Sequence, residues 1–208
     1  MKNIIVIGAG GHASVIIEII ESMIQQGQKL KIKGLLDDNN DRIEFMGYRI
    51  LDKVENCNLY NDENTEYIIA IGSNKVRKNI ATKFNNLKYF TAIDPTACIS
   101  KRVAIKEGTV IMPRSIINSN SKIGSHVIIN TGSIIEHDNE IGNFTHISPG
   151  ATLCGGVSIG EETQIGANST IIQYKKIGSK TIIGAGSTVI NNIDSNTIAV
   201  GSPAKIIK

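Results

Sequence analysis

A chain of 208 residues, 41% hydrophobic and 20% charged, has the composition of a globular protein with room for one large domain or two small ones. Its net charge of +3, spread evenly, excludes a nucleic-acid groove, and no apolar run is long enough to cross a bilayer. Cys57, Cys98 and Cys154 form neither a disulfide framework nor a CxxC pair, and the apolar run at residues 4–7 is too short for an export signal, so the expected location is the cytoplasm.

Residues 3–7 read as a buried strand, followed by Gly8-Ala9-Gly10-Gly11-His12-Ala13 and then by helical spacing over residues 14–23. This is G-x-G-x-x-A in the strand–turn–helix setting where glycines let a phosphate approach the backbone and the helix start favours an anion. A second strand at 31–36 ends in Asp37-Asp38, acceptors suited to a ribose or a base. A third at 67–71 leads through Gly72-Ser73 into a helix carrying Lys75, Arg77 and Lys78. The unit closes near Pro95, about half the length of a doubly wound dinucleotide fold, which leaves a mononucleotide half. A nucleotide-sugar site is therefore favoured over a dinucleotide site and over a purely structural turn. The expected division is a Rossmann-like domain at 1–95 and a second domain at 96–208.

The second domain is written in hexads. From Ile99 through Ile105 and Ile111 to Val189, an aliphatic residue falls at every sixth position without a break. Four residues after each anchor from Ile99 to Ile183 stands Ser, Thr, Ala or Val, except at Asn139 and Lys175. Glycine often follows the anchor directly, as at Gly124, Gly142, Gly160 and Gly178. A period of six is neither helical nor a simple alternation. It fits short strands joined by tight turns, three per triangular coil, so that each residue stacks on the one a full coil later.

This pattern resembles the hexapeptide-repeat acyltransferases, which implies a left-handed parallel β-helix, a homotrimer and acetyl-CoA as co-substrate. Together with the glycine turn, Asp37-Asp38 and the closing Gly201-Ser202-Pro203-Ala204-Lys205, the chain is similar to one branch of that family. The branch holds the UDP-sugar N-acetyltransferases of bacillosamine synthesis, the perosamine N-acetyltransferases and the sialic acid O-acetyltransferases. The resemblance assigns nucleotide binding to Gly10, Gly11, His12, Asp37 and Asp38.

Acyl transfer from a thioester needs a base for the acceptor proton and a donor for the oxyanion. His137 sits at a hexad turn where its side chain can leave the prism, with Asp138 beside it to orient the ring. A lone turn histidine is more often a solvated surface residue, but the resemblance makes a histidine followed by an acid at this point the general base. Stacking puts Gly155 one coil from His137, about one strand spacing away, where a glycine N–H can meet an oxyanion. By resemblance, Asn130 is a polar active-site residue and His146 contacts the thioester region. Ala167 and Ala185 stack as small residues on which pantetheine can lie. Cys154 has no neighbouring base, so a covalent route is discounted, and His126 is read as a surface residue.

Two rivals remain open. O-acetylation of a sialic acid is the other activity within the branch. A zinc lyase of the carbonic-anhydrase kind, also built on hexapeptide prisms, needs His126, His137 and His146 to converge. They occupy different places in their hexads, so no metal is expected.

Overall fold

The computed structural model describes residues 1–39 and 41–208, and the chain divides into two compact units, Met1–Pro95 and Thr96–Lys208.

In the first unit the elements run β1 (Lys2–Ile7), α1 (Gly11–Gln25), β2 (Leu30–Leu36), β3 (Glu44–Phe45), β4 (Tyr48–Asp52), β5 (Thr65–Ile69) and α2 (Asn74–Lys83). The sheet order is β3-β4-β2-β1-β5, parallel throughout except for the β3–β4 hairpin. Central β1 is an unbroken apolar run from Ile4 to Ile7 because that stretch is buried on both faces, as strands of parallel sheets are. Helix α1 turns Ile16, Ile17, Ile19 and Ile20 into the same core, each contributing roughly 1.5–3 kcal/mol by leaving water. The helix starts at Gly11, earlier than the spacing indicated, with Gly10 as an extended N-cap (φ −109°, ψ −171°). Strand β4 escaped the periodicity reading because none of its residues is fully buried.

The second unit is a parallel β-helix of two-residue strands. Its first face stacks Cys98–Ile99, Ile116–Ile117, Ile134–Ile135, Thr152–Leu153, Thr170–Ile171 and Thr188–Val189. The second stacks Ala104–Ile105, Lys122–Ile123, Glu140–Ile141, Ser158–Ile159 and Lys176–Ile177. The third runs from Val110–Ile111 through Ile128–Ile129, His146–Ile147 and Gln164–Ile165 to Ile182–Ile183, and ends in the hairpin of Ile198–Gly201 with Ala204–Ile206.

The hexad is explained by what each position meets. From Ile111 to Val189 every anchor is at most 4% exposed, and the small residue four places on fills the corner. Its hydroxyl, where it has one, satisfies a corner carbonyl: Thr109 donates to Gly124 O (2.8 Å), Thr145 to Gly160 O (2.9 Å) and Thr163 to Gly178 O (2.6 Å). Each corner also needs one left-handed residue. Gly108, Gly132, Gly150, Gly156 and Gly186 supply it in some coils, and Asn120, Asp138, Asn168 and others do so in the rest.

Candidate active site

His137 and Asp138 lie on the corner between the first and second faces, after Ile134–Ile135 and before Glu140–Ile141. Asp138 is the left-handed residue of that turn (φ 60°), a conformation that aspartate tolerates better than most side chains. The imidazole donates from Nδ1 to Asp138 Oδ2 at 2.8 Å, leaving Nε2 as the acceptor nitrogen of the neutral ring. Asp138 Oδ1 accepts from the Asn120 amide at 3.1 Å. The bond from His137, and then the one from Asn120, hold the Asp138 carboxyl below the usual carboxylate range, so it stays ionised as an orienting partner.

Gly155 stands beside the ring. A Cβ built there would lie 2.6 Å from His137 Cε1 and 2.7 Å from Nε2, so the imidazole occupies the space a side chain would take. Gly156 N–H donates to His137 O at 2.9 Å and seats the two coils on each other. One coil higher, Tyr174 is exposed and its ring fills the space above Gly156.

Asn130, His146, Ala167 and Ala185 lie elsewhere. Asn130, Ala167 and Ala185 are in turns leading from the third face to the first, and His146 faces outward from the third face. Asn130 Nδ2 is 3.0 Å from His146 Nε2, and Gly186 N–H donates to Ala167 O at 2.8 Å. Within the prism, then, the candidate residues fall into two groups, one at each edge of the first face.

His126 corrects the sequence reading. It is buried, only 4% exposed, and stacks on Phe144 with ring centroids 5.1 Å apart, over the hollow left by Gly108. His126, His137 and His146 occupy three different places around the prism, and among the described residues no group of three or more potential ligands could hold a metal ion. A groove of about 730 Å³ follows the second face and holds none of the candidate residues.

In the first unit the glycine turn is braced by Asp37, whose Oδ2 accepts from Ala9 N–H (2.7 Å) and Oδ1 from Asn39 N–H (2.8 Å). Asp37 therefore shapes the turn. Asp38 accepts from Val54 N–H (3.0 Å) and lines a cavity of about 450 Å³ with Lys53, Asn79, Lys83 and Phe84. A Cβ at Gly10 or Gly11 would meet nothing within 4 Å, so the fold itself does not demand glycine there. His12 is driven down to about 4 by burial and then by the Arg77 charge, and it is a neutral imidazole at pH 7. Arg77 itself is 1% exposed and donates to Ile71 O and Gly72 O, both at 3.1 Å, under the β5–α2 loop.

Sequence reasoning missed Asn120, the Asn118–Glu136 bond (3.0 Å) and the cavity lysines. Asn120 and Asn118 each lie 18 residues before their partners, the same stacking that singled out Gly155.

Residues 3–84 match the family described as PglD N-terminal domain, and residues 140–173 match bacterial transferase hexapeptide (six repeats). A histidine-to-asparagine mutant of perosamine N-acetyltransferase from Caulobacter crescentus, solved with CoA and GDP-perosamine, is 31% identical with a TM-score of 0.92 over 100% of this chain and 98% of that one. The acetyltransferase domain of PglB from Neisseria gonorrhoeae, solved with acetyl coenzyme A, is 30% identical with a TM-score of 0.92 over 99% of both chains. UDP-N-acetylbacillosamine N-acetyltransferase of Bacillus subtilis is 39% identical over 115 residues, 52% of this chain and 50% of that protein. The chain spans half or less of the length of the curated relatives it matches.

The hexad prism, preceded in the chain by a Rossmann-like half that matches the PglD N-terminal domain, is the make-up of a hexapeptide-repeat acyltransferase. Within that class, the chain belongs to the family of sugar N-acetyltransferases that carry a PglD-type N-terminal domain.

Proposed function

We propose that this protein transfers the acetyl group of acetyl-CoA to the amino group of a nucleotide-linked amino sugar by direct attack, with His137 as the general base. The observation that carries this is the imidazole held by Asp138 at 2.8 Å and lying against Gly155. With Nδ1 occupied, Nε2 takes the proton as the amine attacks the thioester carbonyl, and the Gly155 N–H donates to the oxyanion. Collapse of the intermediate breaks the C–S bond, CoA leaving as the thiol with the proton that Nε2 took. The first unit holds the nucleotide, with Gly10, Gly11 and His12 at the phosphates and Asp38 in the 450 Å³ cavity. Asn130, His146, Ala167 and Ala185 line the acetyl-CoA path. One solved relative is named a perosamine N-acetyltransferase and holds GDP-perosamine, and a curated relative is named a UDP-N-acetylbacillosamine N-acetyltransferase, so the O-acetylation of a sialic acid is not favoured.

The working form is a homotrimer. Outward residues of the first face are Cys98, Ile116, Ile134, Thr152, Thr170 and Thr188, with no charge among them, whereas the second face presents Lys122, Glu140 and Lys176. Packing first faces around a threefold axis brings the His137 corner of one copy beside the Asn130 corner of the next. Each site is then built from two chains. The expected location is the cytoplasm, where nucleotide sugars and acetyl-CoA are both available.

The test is CoA release from acetyl-CoA with UDP- and GDP-linked 4-amino sugars, against CMP-linked and free sialic acid. Turnover with sialic acid alone overturns the reading. Asp38→Ala is expected to raise the acceptor KM by roughly tenfold, the size of a lost bond to a charged group, and to leave the acetyl-CoA KM unchanged. Equal losses for both ligands would mean that the first unit is not the acceptor site. Gly155→Ala is expected to fold normally, as judged by circular dichroism, and to lower kcat by roughly 10²-fold, because the new methyl displaces the His137 ring.

A further inference from the structure

We propose that Asn139 is a positioning residue for His137, resting on the reading of His137 as the base. Asn139 breaks the small-residue track of the hexads at the corner that carries the histidine. In the coils stacked with it, the same step of the hexad is Val103, Ser121, Val157 and Lys175. The asparagine is 0% exposed. Its Nδ2 lies 2.6 Å from Glu136 O, 3.1 Å from Cys154 O and 3.3 Å from His137 O. Its backbone N–H donates to Ser121 Oγ (3.2 Å), and that hydroxyl donates to the same Glu136 O (2.9 Å).

At the corner between the third and first faces Ser115, Ser133 and Ser169 donate to a carbonyl three residues back, and at the corner between the second and third faces a hydroxyl at this step reaches a carbonyl in the next coil, as Thr145 and Thr163 do. At the histidine corner an amide takes over that bond, to Cys154 O, one residue before Gly155. It also grips the carbonyls of Glu136 and His137, on either side of the His137 nitrogen. The arrangement has a cost: Asn139 Oδ1 is buried with no hydrogen-bond partner among the described residues. The fold accepts valine at this step in other coils, so packing alone does not call for an asparagine. A polar group that lowers stability at the corner of the base is accounted for by its action on the base, since small displacements of a catalytic group lower the rate steeply.

The experiment measures kcat, both KM values and the melting temperature for Asn139→Val, His137→Ala and the double variant, beside wild type. Asn139→Val is expected to lose roughly tenfold in kcat with both KM values unchanged and a melting temperature equal to or above wild type. Asn139→Ser, carrying the hydroxyl of Ser121, is expected to recover part of that rate. On the His137→Ala background the Asn139→Val change is expected to have no further effect, because the group it positions is gone. Wild-type kcat in Asn139→Val overturns the proposal. So does the same tenfold loss on the His137→Ala background. If Asn139→Val fails to fold, the kcat and melting temperature of Asn139→Ser decide instead, and a loss of rate matched by a loss of stability overturns the proposal. Wild-type turnover in His137→Ala alone overturns the assignment of the base, a separate failure.

Discussion

His137→Ala is expected to fold and assemble normally and to lower kcat by ~10² to 10⁴-fold with little change in either KM. The side chain is 56% exposed at a corner and outside the packed interior, so its removal costs little stability. The loss is expected to fall on the chemical step because, as the proposed base, the imidazole would act where the acceptor gives up its proton. Asp138→Asn should give a milder loss, since the asparagine can still face Nδ1 but no longer favours the tautomer that leaves Nε2 open. Steady-state rates with the true acceptor at neutral pH check both. If His137→Ala keeps near-wild-type turnover, the proton has another destination, and Cys154 or the substrate's own groups must be reconsidered.

The hexads made the prism legible because one requirement recurs at every coil: an apolar anchor inside and a small residue at the corner. The register follows from the same count, so Gly155 could be set against His137 from sequence alone, and the ring does lie on that glycine. Side-chain choices between coils were less legible. Asn120 reaches Asp138 by the same 18-residue offset, but nothing in its residue type distinguishes it from an ordinary left-handed turn asparagine. His126 was misread because its burial comes from Phe144 above and the hollow at Gly108 below, which depend on ring placement rather than on period. In the first unit the paired aspartates were read as equals. The backbone separates them, turning Asp37 onto the glycine loop and Asp38 into the cavity.

Two variants that are each inactive are expected to restore activity when their chains share a trimer. One variant carries His137→Ala, at the corner between the first and second faces. The other carries Asn130→Ala with His146→Ala, at the opposite edge of the first face. In the proposed trimer the interface around the threefold axis is head-to-tail, so each site would join the His137 corner of one copy to the Asn130 corner of the next. A mixed trimer of either composition contains one junction at which both corners are intact. Hybrid trimers should therefore recover roughly a third of wild-type kcat per site, one intact junction in three, against roughly a quarter for the unfractionated random mixture. Co-expression with two different tags, purification through both and a CoA-release assay measure the recovery. A site lying within one chain gives no recovery, because every chain in the mixture then carries a defective site. Hybrid trimers that are isolated intact but remain inactive would place all of the chemistry on a single prism and overturn the shared site.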